Sequence, residues 1–106
     1  MTDASEAVLS RIREITTEIR ELERTRRLLE VEWAVQVCPF KVGDKTVCCS
    51  YGYRGKPCVI KRIYMYAWWK DRFMWAVECC ILSKSGDEGR LTAIFHQGQY
   101  ENWLAR

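Results

Sequence analysis

The sequence predicts an α+β protein in which a long amphipathic N-terminal helix leads into a small antiparallel β-barrel or rolled sheet. Three observations carry that prediction. Residues 3–37 contain neither Gly nor Pro and repeat their apolar side chains about every 3.5 residues. Beyond Pro39 the apolar period shortens to two, with turn residues between the runs. Of the 106 residues, 11 aromatic ones lie after position 50, which concentrates bulky side chains for a core in the C-terminal segment. A chain of this length supports one core with an appended element.

The helix is expected over roughly residues 4 to 35. Asp3 with Glu6 three residues later forms a capping-box pattern, and Glu, Arg, Leu and Ile dominate the rest of the segment. Pro39 ends the helix, because it lacks an amide hydrogen and disfavours helical geometry at Cys38. Heptad assignment puts Val8, Ile15, Leu22 and Leu29 at d and Ile12, Ile19, Arg26 and Trp33 at a. About 30 helical residues span roughly 45 Å, whereas a β domain of about 65 residues is nearer 25 Å across, so much of the apolar stripe overhangs. A second copy of the same helix is the commonest cover for such a stripe. Residues 1–37 are therefore read as a coiled-coil dimerisation helix, with Arg26 tuning register or orientation and Glu23 with Arg27 as a favourable surface pair.

Strands are expected near 46–51, 57–67, 72–83 and 90–96. In the third, Phe73, Trp75, Val77, Cys79 and Ile81 share one face while Glu78 looks outward. In the fourth, Leu91, Ala93 and Phe95 alternate inward, which puts His96 on the outer face. In the second, Val59, Ile63 and Met65 can pack inward with Lys61 as a misfit, leaving Ile60, Arg62, Tyr64 and Tyr66 opposite. The face with Arg62 and the two tyrosines is expected to be the wet one. Turns are expected at Gly52 to Gly55, at Lys70-Asp71 and at Lys84 to Gly89.

Phe40-Lys41-Val42-Gly43-Asp44, followed by Gly55-Lys56-Pro57-Cys58-Val59-Ile60-Lys61-Arg62-Ile63, is similar to the opening of SH3-like small barrels of the KOW and Tudor kind. The resemblance covers roughly residues 40–104 and implies that Glu101-Asn102-Trp103-Leu104 form a short helical turn and a final strand. It implies a binding module for proteins, methylated side chains or nucleic acids, and no particular ligand.

Charge is unevenly distributed. Residues 1–36 hold six Lys or Arg against eight Asp or Glu, a balance of −2, and residues 37–106 hold eleven against six, a balance of +5. The β part, residues 38–106, is thus the basic part, which favours an acidic protein surface, a nucleic acid or a nucleotide as partner. The N-terminus is polar and acidic where a signal peptide is basic and then apolar, and no run approaches the roughly 20 apolar residues of a membrane span. A cytoplasmic protein with reduced thiols and no membrane partner is expected. In the vicinal pairs Cys48-Cys49 and Cys79-Cys80, strand alternation sends one sulfur of each inward, Cys49 and Cys79 being the expected core members.

The inventory for catalysis is thin. His96 is the single histidine, and the sequence holds no nucleophile elbow, Gly-rich phosphate loop or paired-carboxylate motif, so no enzyme is expected. Cys48, Cys58, Cys80 and His96 are the set that would meet around zinc if their strands were adjacent, but no Cys-x2-Cys knuckle is present, so neither metal nor cofactor is expected. There remains a constellation of rings and cations: Tyr51, Tyr53, Arg54, Lys56, Lys61, Arg62, Tyr64, Tyr66, Trp68, Trp69 and Arg72, with Lys70 among them. Such a set suits a hot-spot surface for a protein and a stacking platform for single-stranded nucleic acid. The function expected is a homodimeric, non-catalytic inhibitor or adaptor that docks this surface on an acidic protein. The small, cysteine-tolerant composition also fits an accessory protein of phage or mobile-element type. The alternatives are a single-stranded nucleic-acid-binding barrel and a nucleotide-sequestering protein.

Overall fold

A computed structural model describes residues 3–69 and 72–105, with the side chains of Trp68 and Trp69 and the expected Lys70-Asp71 turn outside the described residues. The elements are α1 (Asp3–Val37), β1 (Lys45–Val47), β2 (Pro57–Trp69), β3 (Arg72–Leu82), β4 (Glu88–His96) and α2 (Gln97–Leu104). The strands form one curled antiparallel sheet in the order β1-β2-β3-β4. The chain is thus α+β, a long helix followed by a half-barrel of four strands. No helix among the described residues is long and apolar enough to cross a membrane.

α1 runs through the whole Gly- and Pro-free segment. Its 35 residues make a rod of about 52 Å, against extents of 70 × 28 × 23 Å for the whole chain. After Cys38, whose amide still bonds to the Ala34 carbonyl at 2.9 Å, Pro39 stops the ladder. The Phe40–Asp44 segment then turns sharply. Gly43 adopts φ 96°, a region open to glycine, and the Asp44 carboxylate accepts the Lys41 amide at 2.8 Å.

Only the C-terminal end of α1 meets the sheet. Trp33, Ala34 and Cys38 join a core built from Cys58, Ile60, Ile63, Trp75, Val77, Cys79, Ile81, Ala93 and Phe95. Phe40, Trp75, Phe95 and Tyr100 pack edge-to-face or tilted at its centre, with ring centroids 5.1 to 6.3 Å apart.

Several expectations are corrected. β1 ends at Val47, so Cys48 to Gly55 form a looping segment rather than the rest of a strand. The strand alternation argument therefore fails for Cys48-Cys49, and all six cysteines are buried. Cys80, expected outside, is enclosed with its thiol 3.2 Å from the Gly89 carbonyl. In β2 the ladder shifts register between Ile60 and Arg62, a bulge that absorbs the misfit of Lys61 and resets the parity. Ile60 is consequently in the core with Ile63, while Val59 points the other way. Phe73 and Leu91, expected inward, are exposed: Phe73 stands near the start of β3, beyond the core, and Leu91 lies in the stretch where the register between β3 and β4 shifts. Residues 101–104 belong to α2, and no final strand follows among the described residues.

Candidate functional site

Two surfaces stand open. The first is the face of the sheet turned away from α1. Register sets Glu78 between Arg62 and Ile94, Ala76 between Tyr64 and His96, and Met74 beside Tyr66. Ala76, small and between Tyr64 and His96 in this row, is fully buried. The Arg62 guanidinium lies 4.6 Å from the Tyr64 ring centroid and pairs with Glu78 at 3.3 Å. Tyr66 stacks on His96.

His96 is also the N-cap of α2. Its Nδ1 accepts the Gln99 amide at 3.4 Å, and the Gln99 side chain accepts the His96 amide at 3.1 Å, a reciprocal capping box. Burial holds the imidazole below its ordinary range, which favours the neutral form that Nδ1 needs as an acceptor. Sequence reasoning placed His96 outward but missed this role. The Gln three residues later was the available signal.

Beside His96, an open cleft of about 500 Å³ is lined by Tyr51, Met74, Gly98, Gln99, Glu101 and Asn102. Tyr51, 74% exposed, brings the 48–56 loop to the edge of the outer face, with the Arg54 guanidinium 5.0 Å from its ring centroid. The Arg54 Nε is enclosed without a hydrogen-bond partner.

The expected constellation is therefore gathered only in part. Arg62, Tyr64 and Tyr66 share the outer face, and Tyr51 with Arg54 adjoins it. Tyr53 packs against the core instead, with the Lys56 ammonium 5.7 Å from its ring. Lys61 sits at the bulge and pairs with Glu88. Arg72 is exposed at the start of β3, and the Trp68 and Trp69 side chains lie outside the described residues.

The second surface is the seam of α1. Val8, Ile12, Ile15, Ile19, Leu22 and Leu29 are 40 to 69% exposed, whereas Trp33 is half-buried against the core. Where the seam reaches the sheet, Met65 and Phe73 rise beside Leu22, Arg26, Leu29 and Trp33 to form an open groove of about 410 Å³. Met65 packs against the core as expected and also walls this groove, whereas Phe73, expected as an interior residue, is exposed there.

The thiols make a third cluster, closed to solvent. Cys79 Sγ lies 3.9 Å from Cys48 Sγ, and Cys58 bonds to both. Hydrogen bonding to Cys48 and burial push Cys58 up to about 12 and push Cys79 up as well, while Cys48, accepting from Cys58 and Cys79, is the most acidic. The set considered for zinc is not assembled: Cys80 points to the Gly89 carbonyl and His96 stacks on Tyr66. Among the described residues no group of three His, Cys, Asp or Glu side chains is arranged to hold a metal ion.

The chain matches no protein-family model, no curated protein and no solved structure.

Proposed function

We propose that this chain is a non-catalytic binding protein that pairs through the α1 seam and docks the outer face of its sheet on an acidic protein, as an inhibitor or adaptor. The observation that carries this reading is the row of Arg62, Tyr64 and Tyr66 on an open sheet face, flanked by exposed Ile94 and Tyr51. Aromatic and arginine side chains around an apolar centre are what protein hot spots use. Two of the cations already face carboxylates, Arg62 to Glu78 and Lys61 to Glu88, which leaves fewer free to neutralise successive phosphates. That favours a protein over a single-stranded nucleic acid. The Gly43 turn feeding β1 supports an SH3-like reading of the half-barrel, a scaffold suited to such docking.

The test places a photo-crosslinking amino acid at Tyr66 and, as an exposed reference, at Lys84. Protein adducts at Tyr66, absent at Lys84 and abolished by Arg62→Glu, are expected. Nucleic-acid adducts at Tyr66, released as salt is raised, transfer the surface to the nucleic-acid reading. Equal adducts at both positions overturn the assignment of the surface.

A further inference from the structure

The geometry points to an antiparallel pairing of two α1 helices, in which the N-terminal half of one, Val8 to Ile19, fills the groove between α1 and the β2-β3 hairpin of the other. This inference rests on the pairing proposed above and names its partner segment and polarity.

Charge complementarity selects the polarity. In a parallel, in-register pair each g residue faces the partner's e residue five positions on. Glu18 then meets the partner's Glu23 twice, and Arg26 meets the partner's Arg26 inside the seam. Both contacts set like charges together. In the antiparallel alignment a residues face d residues, so that Ile12 lies opposite the partner's Leu29, Ile19 opposite the partner's Leu22, and Trp33 opposite the partner's Val8. Arg26 lies opposite the partner's Ile15 and away from its own copy. The same alignment brings Arg11 beside the partner's Glu32, once at each end, and leaves no like-charged pair at the flanks. In the single chain Arg11 reaches Glu14 at 3.0 Å and Glu18 at 3.7 Å with both side chains well exposed, weak pairs that leave it free to turn.

The groove supplies an independent argument. The groove touches both Thr25 and Glu30, but α1 meets the sheet on the side of buried Ala34 and half-buried Glu30, an e position, which puts the wall of Met65 and Phe73 on that flank of the seam. Antiparallel pairing sets the partner's e residues along that wall, and the one nearest Glu30 is Leu9. Of the e residues at positions 9, 16, 23 and 30, namely Leu9, Thr16, Glu23 and Glu30, Leu9 alone is apolar, and it is exposed in the single chain. Parallel pairing sets the partner's polar Thr25 there instead. The antiparallel arrangement thus covers the exposed ring of Phe73 with an apolar side chain and accounts for Leu9 at a position where heptads usually carry charge.

The experiment uses the full chain with a ketone-bearing amino acid in place of Ser10, an exposed residue facing away from the seam, coupled to a nitroxide so that the native cysteines stay untouched. Pulsed electron-spin measurements then read the label-to-label distance, alongside a light-scattering mass. In the antiparallel pair the two positions are offset by about 21 residues along the axis, which with the interaxial spacing gives roughly 33 Å before the tethers. A dimer with that distance is the expected result. A dimer with a distance under about 20 Å is parallel and overturns the polarity while leaving the pairing intact. A monomer overturns both.

Discussion

The rings of Tyr66 and His96 lie face to face, 4° from parallel, with centroids 5.4 Å apart. This contact ties the open face of the sheet to the first turn of α2, because the same imidazole accepts the Gln99 amide. A change at His96 therefore acts on both the outer face and the cap.

The burial of His96 makes stability depend on pH. It lowers the folded-state value of the imidazole below the ordinary 6.5. Between those two values the unfolded chain binds more protons, so stability is full above 6.5 and falls as pH drops through the folded value. Protonation also removes the Nδ1 acceptor. Urea unfolding from about pH 8 to pH 5 should show this loss, and His96→Asn, which keeps a capping oxygen, should flatten it while costing no more than about 1 kcal/mol at neutral pH.

The six buried thiols are expected to resist an aromatic disulfide reagent in the native protein and to react together once urea unfolds it. Burial and the contacts within the Cys48, Cys58 and Cys79 cluster keep Cys58 and Cys79 protonated at neutral pH. Fast labelling of two or more thiols in native conditions contradicts this placement.

Core and surface apolar residues of β4 should separate sharply. Phe95 is fully buried among Phe40 and Trp75, so Phe95→Ala should cost roughly 3–5 kcal/mol. Leu91, four residues earlier, stands exposed where the β3-β4 register shifts, so Leu91→Ala should stay within about 0.5 kcal/mol. Chemical denaturation of the two variants compares them directly.

Gly89 lies beside the register shift between β3 and β4, where an added Cβ meets the Ile81 carbonyl at 2.9 Å. Gly89→Ala should destabilise by about 1–3 kcal/mol, since backbone must move to admit the methyl group. At Gly52 an added Cβ meets nothing within 4 Å, and Gly52→Ala should be close to neutral in the same assay.

The helix was readable in the sequence because a run from Asp3 to Val37 without Gly or Pro leaves little alternative, and Pro39 marks its end. The outer face was readable too, since Arg62, Tyr64 and Tyr66 share one parity. Elsewhere parity misled. It says which side of a strand a residue takes but not whether anything covers that side, so Phe73 was placed in a core that does not extend to it, and it does not carry through a register shift such as the one at Leu91. At Lys61 the misfit signalled a bulge whose effect on Ile60 a strict period of two could not contain. The cysteines deceived for another reason: Cys48 and Cys49 come after the end of β1, and a looping segment can turn both sulfurs inward. Tyr53 and Tyr51 are two residues apart, yet one packs on the core and the other faces solvent, a division set by the path of that loop and not by spacing.

The central claim is that the exposed seam of α1 is covered by a second copy. The most direct measurement is a light-scattering mass across a concentration series under reducing conditions, for the natural chain and for the double variant Ile15→Asp with Leu22→Asp. The natural chain should give twice its 12.5 kDa mass, and the variant should give 12.5 kDa with an unchanged sheet signal. A mass of 12.5 kDa for the natural chain at every concentration, or a variant that remains as large as the natural dimer, contradicts that claim.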